Sequence, residues 1–261
     1  MITLLAPEQE ADFGAACCHE PVSGAKIATL LRVYGYHSPI APIWLCRDST
    51  GKTVAALSRF EGRLDVSASA DADFDEIAAF AAVIGEFFCV EASAETCAYL
   101  QRHLPGELES FLKMRYTGEY FIADFGAVYG TPSLREVYDL ICASNSLLGR
   151  LPLWESWYTH VSYLVRHSLG FCCTVHHNGT PVCTGGVYTM GMHAAVISSL
   201  FTLPAYRRGG YAALAVKHLV NRILAIGKEP ILCCGSDTLA DYYARLGFEA
   251  CGRRGKLTLH Q

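Results

Sequence analysis

Arg207, Arg208, Gly209 and Gly210 stand between an apolar run and a helix-periodic one, inside the segment SSLFTLPAYRRGGYA at 198–212. Residues of these types, in that order, can hold an anion. Glycine lets the backbone come close to a ligand and take conformations closed to other residues. A helix that starts just after it offers unpaired N–H groups and a partial positive charge. Two guanidinium groups at the same place add to both, so the segment reads as a cradle for a pyrophosphate. The plainer reading is a strand-to-helix turn with solvated arginines.

The flanks must position such a cradle. Val216, Leu219, Val220 and Ile223 recur at i, i+3, i+4 and i+7, Lys217, Asn221 and Arg222 lie off that stripe, and Gly227 ends the pattern. This predicts a helix docked on a sheet by one face, with the glycine pair at its entrance.

In these residues the sequence resembles the GCN5-related N-acetyltransferase (GNAT) superfamily, whose acyl-CoA signature is R-x-x-G-x-G/A after an apolar strand, often with a proline three residues earlier. Arg207, Gly210 and Ala212 fit it, with Pro204 in place. A second match is DYYARLGF at 241–248, where Tyr243, Leu246, Gly247 and Phe248 align with the family's Y-x-x-L-G-F. The resemblance implies acyl transfer from acetyl-CoA, as cosubstrate, to an amine of a small molecule or peptide. Backbone groups near Phe201 and Thr202 would align the pantetheine arm. N–H groups from Arg208 through Gly209, Gly210 and Tyr211 to Ala212 would hold the pyrophosphate, with charge from Arg207 and Arg208. Tyr243 would be the general acid. Its alternative role is packing, because Leu239, Tyr242, Tyr243 and Leu246 form a helical stripe of their own; Tyr242 is read as packing.

The chain departs from the family at two points. Ser199 stands where many members carry a glutamate base, and Ser236 where asparagine is common. Glu155, beside Trp154, Trp157 and Tyr158, and His160, through water, are the candidates for a base, each with a surface or capping role as its alternative. The aromatic cluster itself would line an acceptor pocket or an interface between the two halves of the chain.

The element order from 132 onward reads as helices at 132–146 and 154–167, a hairpin of strands 171–176 and 181–189 around Asn178-Gly179, and a strand at 193–202. After the cradle helix, ending at 226, come a strand at 231–234, a helix at 239–246, and terminal strands starting near Phe248 and Leu257. The first half repeats this order more faintly: helical signals up to Val33, strands 43–47, 53–59 and 64–69, a helix at 74–84, a strand at 87–91 and a helix at 93–100. The expected fold class is therefore α/β layered (α+β), the acyl-CoA N-acyltransferase fold with a mixed, mostly antiparallel central sheet flanked by helices, in two tandem copies. The expected domains are 1–126 and 127–261. Where the first copy should carry a cradle it has SADADFDE, whose Asp71, Asp73 and Asp75 would repel a pyrophosphate.

Composition agrees with a globular enzyme. The 261 residues are 51% hydrophobic and 18% charged with a formal net charge of -4, too acidic and too unclustered for a nucleic-acid binder. No membrane partner is expected, since no stretch would span a bilayer and the first residues lack the pattern of a secretion signal. The expected location is the cytoplasm, and a homodimer is among the expected assemblies. The 12 cysteines read as reduced core thiols rather than staples. The adjacent pairs Cys17–Cys18, Cys172–Cys173 and Cys233–Cys234 point to opposite faces of an element and cannot share one metal ion. His176 and His177 read as turn residues, and His160 and His167 as two positions on one helix face; no metal is expected.

Overall fold

The hairpin expected at Asn178-Gly179 forms. Asn178 has φ 49° and Gly179 φ 80°, the paired left-handed geometry that matches strand twist, and it joins two strands in register from His177 opposite Thr180 to Phe171 opposite Val187. The structure, a computed structural model, describes residues 1–144 and 153–260. Its first ten elements are β1 (Ile2–Leu4), α1 (Glu10–Cys17), α2 (Pro21–Tyr34), β2 (Ile43–Arg47), β3 (Thr53–Phe60), β4 (Arg63–Ala68), α3 (Phe74–Ile84), β5 (Cys89–Ser93), α4 (Ala94–Leu100) and β6 (Gly106–Tyr116). The same order then recurs as β7 (Val128–Tyr129), α5 (Leu134–Ser144), α6 (Trp154–Arg166), β8 (Phe171–His177), β9 (Thr180–Met190), β10 (Ala194–Thr202), α7 (Tyr211–Ala225), β11 (Glu229–Cys234), α8 (Asp237–Ala244) and β12 (Phe248–Leu259).

The strands form one sheet in the order β1-β2-β3-β4-β5-β12-β6-β11-β10-β9-β8-β7. It is mixed and mostly antiparallel; β4–β5 and β10–β11 are the parallel pairs. The order reads alike from either edge, with one exchange at the centre. The last strand of each repeat lies beside the fifth strand of the other: β12 pairs with β5 and β6 with β11. Between them β6 and β12 pair antiparallel from Phe248 opposite Tyr116 to Leu259 opposite Gly106. Gly255 of β12 has no Cβ because α4 lies on it; a Cβ there would come within 2.7 Å of Cys97 Cβ.

Helices cover both faces. On one, α3 and α4 bury Ile77, Ala81, Cys97 and Leu100 against Leu57, Leu64 and Leu257, and α7 buries the predicted stripe Val216, Leu219, Val220 and Ile223 together with Ala215. On the other face, α5 and α6 lie over the second repeat and α1 over the first. Helix α2 crosses the middle: Val22 and Ala25 pack on Ala194, Val196 and Ile231, whereas Lys26 reaches Asp65 of β4 at 2.8 Å and Glu91 of β5 at 3.1 Å. Arg254 of β12 meets the same two carboxylates. Glu20 caps α2 by accepting from the Ser23 N–H at 2.6 Å and binds Lys113 Nζ of β6, also at 2.6 Å. Burial opposes ionisation of Glu91, but Lys26 and Arg254 outweigh it and hold its pKa at about 2.

Several boundaries differ from expectation for local reasons. The terminal strands are one continuous strand, β12, which carries a bulge between Ala250 and Gly252 instead of a break. Ser236 accepts from the Leu239 N–H and starts α8 at Asp237 rather than at 239. The strand expected from 87 begins at Cys89. Strands β1, β6 and β7 had no counterpart in the sequence reading, and the expected helix residues 145–146 lie outside the described ones. All 12 cysteines are unbridged and eight are buried.

Replacing Arg254 with Met should lower unfolding free energy by about 3–5 kcal/mol, since Asp65 and Glu91 would remain buried with one cation fewer. Lys256→Met, at an exposed pair on the same strand, should stay within about 0.5 kcal/mol. Urea midpoints of the two variants check this, and equal small effects would show that the buried network is dispensable.

Candidate active site

Strand β10 pairs with β11 only over Ala194–Val196, opposite Glu229–Ile231. Beyond that point the two strands part. On its other side β10 stays paired with β9, with register shifts between Val196 and Ile197 and between Ser198 and Phe201. Ser199 lies in the second irregularity at φ 51°, a costly conformation for a side chain other than glycine. Among the described residues no strand pairs with the β11-facing edge of β10 from Ile197 to Thr202. That edge therefore presents backbone donors and acceptors to a wedge-shaped opening.

The chain leaves the wedge at Thr202, passes a short 3-10 turn at Pro204–Tyr206, and enters α7. Arg207 Nε donates to the Thr202 carbonyl at 3.4 Å, and Arg208 has φ 65°. Gly210 is the N-cap of α7 in the left-handed conformation, φ 82°, with open space where a Cβ would be. No side chain caps this helix start, so the first N–H groups, at Tyr211 and Ala212, face outward with their dipole uncompensated. Residues 207–212 follow the strand residues Phe201 and Thr202 after that turn, and the Arg207–Thr202 contact ties the two segments together. The corresponding helix of the first repeat, α3, is closed by its own carboxylate: Asp73 accepts from the Glu76 N–H at 3.0 Å.

Tyr243 is the one buried residue of α8. Its ring lies 5.2 Å from that of Tyr242 and 5.9 Å from that of Phe248, in the core cluster that also holds Cys183 and Cys234. Burial, with Tyr242 and Cys234 nearby, pushes its hydroxyl far above the ordinary tyrosine pKa, so it keeps its proton at neutral pH. Among the described residues its hydroxyl makes no hydrogen bond. Tyr242 packs beside it with its pKa raised by burial to about 12. Of the expected stripe on this helix, Leu239 is exposed.

The base candidates lie elsewhere, on the opposite face. His160 of α6 lies tilted at 5.9 Å from Phe60, stacks at 6.4 Å on Tyr34 and approaches the Tyr34 hydroxyl at 3.4 Å through Nδ1; both partners belong to the first repeat. Burial lowers its pKa. Glu155 is exposed near the same groove. His167 forms the C-cap of α6 and packs against Tyr163 at 4.2 Å. The aromatic cluster is continuous: Trp154 packs with Tyr138, Tyr158 and the Arg135 guanidinium and stacks at 6.0 Å on Trp157, which in turn meets Tyr138 and Tyr188 and reaches the first repeat. His177, read as a turn residue, accepts or donates at 2.7 Å to the Tyr211 hydroxyl and so braces the cradle. Sequence spacing could not reveal that link, which joins a hairpin to a helix 34 residues away.

Residues 134–248 match the model of the acetyltransferase (GNAT) family. Compared by sequence with curated proteins, the chain matches none. Solved structures share its fold along the whole length. A GCN5-related N-acetyltransferase from Kribbella flavida superposes with a TM-score of 0.62 at 16% identity, covering 95% of this chain and 96% of its own. An acetyltransferase of the GNAT family from Colwellia psychrerythraea gives 0.60 at 14%, covering 100% of each. A tandem GNAT protein from the clavulanic acid biosynthesis pathway gives 0.58 at 12%, covering 99% and 97%. The GNAT assignment carries acyl transfer as the general chemistry and acyl-CoA as its usual donor. Among the described residues no helix is long and apolar enough to cross a membrane.

His160 should titrate below 6.5, the value it would have in the unfolded chain. In the window between those two pKa values the unfolded chain binds the extra proton, so stability should rise with pH there. Ring resonances followed by NMR check this, and a midpoint at or above 6.5 would refute it.

Proposed function

We propose that the protein is an acetyl-CoA-dependent N-acetyltransferase that transfers an acetyl group to a primary amine of a small molecule or peptide by direct attack. The observation that carries this reading is the uncapped, glycine-started N-terminus of α7 at the mouth of the wedge between β10 and β11. The fit to acetyl-CoA is physical. An open left-handed glycine, free helix N–H groups and two arginines suit a pyrophosphate, and an unpaired strand edge suits an arm rich in amides.

In this reading Phe201 and Thr202 align the arm through their backbone, and Arg207, Arg208, Gly209, Gly210, Tyr211 and Ala212 hold the pyrophosphate. When bound, acetyl-CoA supplies the acetyl group as a thioester. Tyr243 holds a proton where the leaving sulfur would take it, since burial keeps its hydroxyl protonated. Residues 127–261 are the working unit. Residues 1–126, whose matching helix start is closed by Asp73, bind no CoA and serve as scaffold. We place the enzyme in the cytoplasm, with no metal and no nucleic acid in its reaction.

A second reading, a non-catalytic acyl-CoA-binding module, is favoured by Ser199, which puts a hydroxyl on β10 where many relatives by resemblance have a carboxylate base. Calorimetric titration of acetyl-CoA into the intact protein and into an Arg207→Glu, Gly210→Glu variant tests what both readings share. Binding should be lost in the variant while its circular dichroism is unchanged; no binding to the intact protein would overturn both. Tyr243→Phe then separates them. It should leave acetyl-CoA affinity unaltered and slow transfer by about 10²-fold, and an unchanged rate would remove Tyr243 from the chemistry.

A further inference from the structure

The two repeats enclose a groove on the face opposite the cradle. Its outer chamber, about 640 Å³, is lined by Tyr34, Phe60 and Glu61 of the first repeat and by Glu155, His160 and Tyr163 of α6. An inner chamber of about 200 Å³ shares Phe60, Glu61 and His160 with it and ends at Trp157 and Tyr188. Tyr188 lies on β9 where the β9–β10 register slips, between the pairs Thr189–Val196 and Val187–Ile197. That is the level at which β10 parts from β11. Tyr188 also packs in the cluster that includes Phe201.

The chemistry of the chambers differs. Among the described residues, neither Glu61 nor Glu155 has a basic partner; the ion pairs of the molecule involve other carboxylates. Glu61 sits at the tip of the β3–β4 hairpin at φ 48°, followed by Gly62 at φ 72°, so the turn delivers its carboxylate to the α6 side. Two free carboxylates among the faces of Tyr34, Phe60 and Tyr163 suit an organic cation, through charge and through cation–π attraction. The inner chamber carries both signs, since Glu61 lines it beside Lys26 and Arg63. Lys26 is tied to Asp65 and Glu91. Tyr188 lines this chamber, and its hydroxyl is deeply buried beside the Cys172 thiol. Burial favours the uncharged form of an amine, and a neutral amine is the form that can attack.

We propose that this groove is the acceptor site and that it selects amines carrying a second cationic group, which Glu61 and Glu155 hold in the outer chamber while the reacting amine enters the inner one. The inference rests on the acetyltransferase reading for its use, but the binding preference stands by itself. The first repeat then supplies half of the specificity pocket.

Calorimetry with 1,5-diaminopentane and with pentylamine, which lacks the second charge, tests it on the full chain. The diamine should bind at least tenfold more tightly to the wild type, and a Glu61→Gln, Glu155→Gln variant should lose that difference. Equal affinities, or a preference that persists in the variant, would overturn the proposal. With acetyl-CoA present, the variant should show a raised KM for the diamine at similar kcat. Transfer to the diamine with KM unmoved would mean that the acceptor sits elsewhere, which also overturns it. A diamine preference that the variant abolishes, without transfer to either amine, would sink the acetyltransferase reading and leave the groove as a dication site.

Discussion

The pairing of β6 with β12 is the constraint on which the rest depends. Each of these strands closes a repeat, yet each lies against the other repeat's fifth strand, so neither half has a complete sheet without the other. The exchange places the seam between repeats in the middle of a continuous hydrogen-bonded sheet. Charges then collect beneath α2: Asp65 from β4, Glu91 from β5, Arg254 from β12, Lys113 from β6, and Lys26 and Glu20 from the helix. A buried network of this kind adds little stability over an apolar core. What it does specify is register, because sliding β12 by one residue would move Arg254 to the face where Leu257 packs.

The two repeats share an element order but use their parallel pairs differently. In the second, β10 and β11 part after Val196 and Ile231, and the helix that follows β10 starts with a bare glycine. In the first, β4 and β5 pair over Arg63–Asp65 and Cys89–Glu91, and the groups near their divergence are consumed. Ser67 donates to the Ala16 carbonyl and accepts from the Glu20 N–H, while Ser23 donates to the Glu91 carbonyl. The α1–α2 corner has thus filled the place that the second repeat keeps open. Loss of the cradle in one repeat and the bridging position of α2 are two sides of one change.

How much of this could be read from the sequence depended on whether a feature is local. The stripe of α7, the Asn178-Gly179 turn, the helix at Phe74–Ile84 and the strand at Ile43–Arg47 are set by periodicity and turn chemistry within one element, and they were legible. The repeat was legible as an order of elements. Strand β6 was missed although Leu108, Leu112, Met114 and Tyr116 alternate with polar residues, because nothing local says that its partners lie at the far end of the chain. The reading of β12 as two strands failed at a bulge, where Gly252 with φ 128° resembles a turn signal. Of the site, the glycine start of α7 was legible, because Gly210 and the helix stripe that follows it are neighbours in sequence. The position of His160 among Tyr34 and Phe60 was not, since it depends on how two repeats pack across more than 100 residues.

In the proposed reading, the sheet separates the two proton transfers that amine acylation requires. Tyr243 belongs to the core on the α7 face, whereas Tyr188 and Phe201 belong to the cluster on the α5 face, and the groove opens beyond them between α2 and α6. Strands β10 and β11 part after Val196 and Ile231. A thioester lying in that wedge would show one side to a protonated tyrosine and the other to an incoming amine. Burial serves both groups in the same sense, since a site of low dielectric favours the protonated, neutral tyrosine on one face and the neutral amine on the other. The strained Ser199 lies within the parting of the two strands.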